Sequence, residues 1–333
     1  MINYETFREI VQQRIQEFMP EELENLELRF FERRKVNELL DAVCFENPNE
    51  NIVVSPTIYI NDMYERYKEI EDVDYVMKDT MEKLKAAFHH GMNLENVLEK
   101  NGFEQNIVFQ LINTEQNREF LKDHPHRDFH DLSIIYRWVV ENDKAGIASF
   151  IVQNDMAEEM GVKEEQLYEM AYENTKKLFP PTVRTMREVI AELMFGSDAP
   201  EDMVEMMFED EPAEEKMYVM TNSQKINGAA SMIYETELQE LASKLGDNLF
   251  IMPSSVHELI IVKAGEWNAY ELAAMVEEIN MTQVELRDRL SNQVYCYDKD
   301  LGKLLLATDT PSRRLDGKVA EKSAVYDELE RCR

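Results

Sequence analysis

Apolar positions along this chain change period several times, and each change marks an element. Ile2, Phe7, Ile10, Val11, Ile15 and Phe18 fall at helical spacing, and Pro20 ends the pattern. Leu26-Glu-Leu-Arg-Phe30 alternates apolar with polar, and residues 37–46 and 52–60 are rich in apolar and β-branched side chains. With turn formers at Asn47-Pro-Asn-Glu-Asn51, these runs predict an antiparallel three-stranded unit. Helical spacing returns between 61 and 100 through Met63, Tyr67, Val73, Met77, Met81 and Leu84, with a further short helix over 94–98.

Residues 107–112 read as a strand, and 129–140 with 146–153 as a hairpin about Glu141-Asn-Asp-Lys144. Two helices come next, 162–179 and 182–195, parted by Pro180-Pro181, which neither helix interior could hold. From Asp198 to Glu215 there are nine acidic residues, two prolines and no Lys or Arg, the composition of a linker.

Beyond it, a strand at 217–221 leads through Asn222-Ser-Gln-Lys-Ile-Asn-Gly228 into a helix over 229–245, with Gly246 placed as its C-cap. Apolar runs at 249–252 and 259–262 flank a polar knot, Pro253-Ser-Ser-Val-His-Glu258. A helix at 269–279 and a hairpin pairing 293–297 with 303–307 complete the pattern. Strand 217–221, helix 229–245 and strand 248–252 predict a βαβ-like unit with parallel strands and a right-handed crossover. The expected class is α+β, with mixed helices and mostly antiparallel strands in two lobes. The expected divisions are an N-terminal lobe over 1–195, the acidic linker over 196–215, a C-terminal lobe over 216–310 and a polar tail over 311–333.

Charge narrows the range of partners. A net charge of −31 repels phosphate backbones and anionic bilayers, so neither nucleic acid nor membrane is an expected partner. It favours an unknown protein partner with a basic face. Three cysteines, Cys44, Cys296 and Cys332, with no CxxC pair, suit a reducing compartment and leave no cysteine-built zinc site. Glu5 and Glu9 stand where a signal peptide needs an apolar stretch, and no apolar run approaches the ~20 residues of a membrane span. The chain reads as cytoplasmic.

Glycine gives the sharpest exclusion. There are ten, and the two nearest, Gly91 and Gly102, stand eleven apart. Phosphate-cradling loops and nucleophile elbows need glycines a few positions apart, so the dinucleotide fingerprint, the P-loop and GxSxG are all absent. No cofactor is expected.

Candidate chemistry gathers in two places. Ser254, Ser255, His257 and Glu258 supply hydroxyls, an imidazole and a carboxylate within five residues. A local triad is disfavoured, because Ser255 and His257 on one face of a strand stand ~6–7 Å apart and Glu258 points the other way. Pro-Ser-Ser is good turn chemistry, and the β-branched run after Glu258 favours a strand, so the knot is expected to turn the chain between two β segments. Ligands of open sheets collect beyond the carboxyl ends of strands. Asn222, Ser223 and Asn227 would therefore share an edge with Ser254, Ser255, His257 and Glu258 as a binding site. No catalytic residue is assigned.

The second cluster is His124-Pro-His126-Arg-Asp128-Phe-His130-Asp131. His124, His126, His130 and Asp131 are weak metal candidates that match no zinc spacing with a mechanical rationale, and a solvated turn accounts for them. Met203, Val204, Met207 and Phe208 make a short adaptable stripe in the acidic segment, which reads as a docking helix or as packing on its own domain.

Met217-Tyr-Val-Met-Thr-Asn222, Gly228-Ala-Ala, Ile233-Tyr234 and Pro253-Ser-Ser-Val-His-Glu258, in that order and spacing, resemble the bacterial domain-of-unknown-function family DUF5688. Asp131-Leu-Ser-Ile-Ile-Tyr136, Glu165, Leu167, Tyr168 and Asn174-Thr175 are similar to it as well, so the resemblance extends over roughly 50–300. It implies a bacterial cytosolic protein and brings no reaction, substrate or functional residue with it. The expected function is a non-enzymatic protein-interaction or regulatory module. The alternative is a hydrolase or metal-dependent enzyme built on the Ser254–Glu258 turn.

Overall fold

Asn3 caps the first helix, α1 (Tyr4–Arg14), its side chain accepting the N–H of Thr6 at 2.9 Å. The computed structural model describes residues 1–46, 57–89, 102–143, 146–196, 206–208, 216–308 and 315. The chain divides into two compact units, residues 1–101 and 102–333.

In the first unit β1 (Glu27–Arg34), β2 (Leu39–Glu46) and β3 (Thr57–Tyr59) form the expected antiparallel sheet in the order β1-β2-β3. Two helices come directly after it, α2 (Ile60–Ile70) and α3 (Val73–His89). Phe7 and Val11 of α1, Val43 and Phe45 of β2, and Met77 and Met81 of α3 are buried together in one core. Burying side chains of this size contributes about 1.5–3 kcal/mol each before chain entropy is counted. The predicted turn at 47–51 and the helix at 94–98 lie outside the described residues.

The second unit holds two sheets. β4 (Ile107–Asn113), β5 (His126–Phe129) and β6 (Leu132–Asp143) pair antiparallel in the order β4-β6-β5, and β7 (Gly146–Ile151) also pairs with β6. The short helix α4 (Arg118–Leu121) joins β4 to β5. Helices α5 (Asn154–Glu159) and α6 (Glu164–Leu178) succeed β7, and the Thr175 hydroxyl of α6 accepts the N–H of Phe109 on β4 at 2.8 Å.

Residues 182–195 are not one helix. Pro181–Thr185 form β8, and only Met186–Phe195 form a helix, α7. Three of the five β8 residues are β-branched, and the backbone pairs with the next strand, β9 (Met217–Asn222), from Pro181↔Asn222 to Thr185↔Tyr218. Thr185 then caps α7 in a reciprocal box with Glu188.

This pairing bears on the division of the chain. The six-stranded sheet runs β13-β12-β10-β11-β9-β8, where β10 is Leu249–Met252, β11 Leu259–Lys263, β12 Tyr295–Asp298 and β13 Lys303–Leu306. One sheet thus takes a strand from before the acidic segment and five from after it. The compositional break at 196–215 does not coincide with the structural division at 101/102. β8 and β9, which flank that stretch in sequence, pair with each other. Within that stretch Phe208 is buried beneath the Arg187 guanidinium, 5.2 Å from its ring centroid, and Met207 is exposed; Met203 and Val204 lie outside the described residues.

The βαβ-like unit takes a split form. β9 and β10 run in the same direction, but β11 lies between them, antiparallel to both. The intervening segment is also divided, into a 3-10 turn at Gly228–Ile233 and the helix α8 (Glu235–Leu245). Gly246 caps α8 with φ 72°, as its position predicts. A last helix, α9 (Ala269–Thr282), covers Val262 and Met252 with Leu272 and Val276. Among the described residues no helix is long and apolar enough to cross a membrane.

Candidate functional site

Pro253 to Glu258 join β10 to β11, whose register runs from Leu249↔Lys263 to Met252↔Ile260. The polar knot therefore turns the chain between two adjacent antiparallel strands, as its residue types predict. The Ser255 hydroxyl and Nδ1 of His257 both bond backbone. Ser255, buried, accepts the N–H of His257 on its hydroxyl at 3.0 Å, the local bond by which serine holds a turn. The carbonyls of Pro253 and Ser254 accept from the amides of Ser291 and Leu290, and Val256 N–H donates to Asp288 O at 2.8 Å.

The imidazole of His257 is held from both sides. Nδ1 accepts the backbone N–H of Asn227 at 3.3 Å, which leaves Nε2 to carry the ring proton, 3.4 Å from Asp288 Oδ1. A general base needs a lone pair aimed at a nucleophile; here that lone pair receives an amide. The Ser255 hydroxyl faces the main chain of His257 rather than its ring. Glu258 comes immediately before β11.

The loop after β9 docks onto this turn. Thr221 Oγ1 donates to the carbonyl of His257 at 2.7 Å, and Ala229 N–H to that of Val256 at 3.1 Å. These contacts hold the start of the predicted helix, which forms a 3-10 turn, against the neighbouring loop. Gly228 has no alternative residue at this approach. A Cβ there would meet Thr221 Oγ1 at 2.1 Å, His257 O at 2.4 Å and Asn222 N at 2.9 Å. Asn222 closes an Asx turn, accepting from Gln224 N–H at 3.0 Å and donating to Ile226 O at 2.8 Å. Ser223 is exposed and bonds through its N–H to Pro180 O, while Asn227 adopts the left-handed conformation with φ 52°.

Asn222 and Asn227 also line a cavity of about 120 Å3, together with residues of α6, β4, β6 and β7. Its distinctive group is Arg137. The guanidinium donates to Gln110 Oε1 at 2.9 Å, to Ser149 Oγ from Nε at 3.0 Å and Nη2 at 2.7 Å, and to Ser149 O at 3.4 Å. All of these acceptors are neutral. Burial pushes its pKa below the ordinary arginine value, and among the described residues no carboxylate stands against it.

A family model described as "Family of unknown function (DUF5688)" matches residues 4–299. The chain belongs to this family. No curated protein and no solved structure matches it.

Elsewhere in this DUF5688 chain, the histidine cluster is dispersed among separate partners. His124 is buried and stacked on Phe120, with ring centroids 3.9 Å apart, and its Nδ1 meets Phe120 O at 2.7 Å. Burial lowers its pKa below the usual histidine value. His126 Nδ1 bonds the carbonyl of His124 at 2.9 Å. His130 sits in a left-handed turn at φ 60° with its ring edge-on to Tyr295, 5.4 Å away. Asp131 accepts from Ser291 Oγ at 2.6 Å and from the hydroxyl of Tyr295. Among the described residues no group of three or more His, Cys, Asp or Glu is placed to hold a metal ion.

The structure thus joins Asn222, Asn227, Ser255 and His257 through two interlocked loops, and adds Arg137, Ser149 and Thr175, which sequence reasoning missed. One signal for Arg137 was available: it is the only charge in Leu132-Ser-Ile-Ile-Tyr-Arg-Trp-Val-Val140. A cation in so apolar a strand marks a polar group facing an interior.

Proposed function

We propose that this protein is a non-enzymatic regulatory or protein-interaction module of the bacterial cytoplasm. The observation that carries this reading is the bonding of His257. Its Nδ1 is occupied by the Asn227 amide, and the Ser255 hydroxyl is occupied by the main chain, so the conspicuous reactive groups stabilise a loop junction. A net charge of −31 favours a partner with a basic face, recruited by long-range attraction that salt screens.

Two experiments test the reading. Co-purification from source cells is expected to return a basic protein that is released as salt rises. Wild-type protein, Ser255→Ala and His257→Ala are then assayed on ester, amide and phosphoester substrates, and all three are expected to be equally inactive. Turnover by the wild type that disappears in folded His257→Ala would sink the proposal.

A further inference from the structure

We infer that the cavity beside Arg137 binds a small monocarboxylate carrying a short aliphatic chain. This holds whether or not the chain works through a protein partner, because it rests on a different part of the structure. Of the five N–H groups of its guanidinium, Arg137 commits both Nη2 hydrogens, Nε–H and one hydrogen of Nη1 to Ser149 and Gln110. The second Nη1 hydrogen has no acceptor among the described residues, and the Nη2 bond to Ser149 O is long. A carboxylate approaching the Nη1/Nη2 edge would find one free donor, one weakly engaged donor and an unopposed positive charge.

The rest of the lining selects the group attached to the carboxylate. Val108, Val139, Ile147, Phe179 and Ile226 supply apolar surface, which suits methyl and methylene groups. The Asn227 side-chain amide lines the same space without a hydrogen-bond partner among the described residues, and it can meet the second carboxylate oxygen. A single guanidinium matches one negative charge; a phosphate dianion ordinarily recruits more donors and more charge. The cavity, at about 120 Å3, has room for a chain of a few carbons.

Calorimetry and thermal shift on the full chain, at matched ionic strength, test this with acetate, butyrate, isovalerate, neutral butyramide and inorganic phosphate. Saturable binding of butyrate or isovalerate, tighter than acetate, is expected, with none for butyramide. Arg137→Gln should weaken butyrate by about tenfold or more, the value of one charge-assisted contact. Should Arg137→Gln not fold, Asn227→Asp provides the readout, since aspartate tolerates the left-handed backbone and places a negative charge on the cavity wall. It too should weaken butyrate by about tenfold or more. The inference is overturned by no saturable carboxylate binding, by butyramide equalling butyrate, by phosphate binding more tightly, or by wild-type affinity in either folded variant.

Discussion

The backbone N–H of Asn227 points at Nδ1 of His257, 3.3 Å away, and so locks together two loops whose residues are thirty positions apart. One side of this junction is the β10–β11 turn; the other is the exit from β9. With Thr221, Gly228 and Asp288 it forms a clasp in which an imidazole serves as an acceptor for main chain.

Removing the ring leaves a partly buried amide without a partner. His257→Ala should therefore destabilise the protein by about 1–2 kcal/mol. Urea unfolding followed by circular dichroism checks this, as a lower midpoint with an unchanged slope.

Gly228→Ala tests how closely the loops approach. Two of the atoms that an added methyl would meet, His257 O and Asn222 N, are backbone and cannot rotate away. A loss of about 3 kcal/mol or more is expected, at the upper end for overpacking. The same denaturation assay measures it.

Asp131 gives a pH signature. Burial raises its carboxyl above the ordinary carboxylate value, against the opposing effect of the bonds from Ser291 and Tyr295. The folded state therefore holds a proton more tightly than the unfolded state. That contribution is fully present below the unfolded pKa and is lost as pH rises through the folded one. Asp131→Asn should flatten the fall in stability across that window, and the difference between the two pH–stability curves isolates the group from the general acidity of the surface.

Glu192 behaves in the opposite sense. Lys225, at 2.6 Å, and Arg184 hold its pKa down to about 2. The stabilisation it contributes is present above the ordinary carboxylate value and is lost as pH falls towards about 2. Glu192→Gln should free Lys225, and faster amide exchange at Lys225 and Ile226 under neutral conditions would report it.

Local pattern carried much of the architecture. The three-stranded sheet of the first unit, the β10–β11 hairpin, α9 and the Gly246 cap arise from period, turn residues and one glycine, all of which act within a few positions. The features beyond the reach of pattern were decided by distant partners. Thr182 to Thr185 extend because β9 lies beside them, although their spacing also fits the start of a helix. Gly228 to Ile233 form a 3-10 turn tied to distant partners, Ala229 N–H donating to Val256 O and Ser231 Oγ to Thr221 O. β11 enters between β9 and β10, an outcome of sheet order that no stretch of about 15 residues encodes.

The candidate site divides along the same line. Asn222, the last residue of β9, and Asn227 and His257, in the loops beside it, are polar residues whose composition marks them. Ser254, Ser255 and Glu258 stand out in the same way, yet sequence alone could not say whether their groups face a ligand or the main chain. Arg137 lies in a strand, and its environment is assembled from Gln110, Ser149 and a loop some ninety residues onward; only the folded chain brings these together.

The most direct test of the structural role given to His257 is long-range 1H–15N NMR of its ring in the intact protein at neutral pH. An unprotonated Nδ1, scalar-coupled through a hydrogen bond to the Asn227 amide nitrogen, with the proton on Nε2, is the result expected. A protonated Nδ1 with no coupling to Asn227 would contradict the account and return the ring to the reactive groups of the loop.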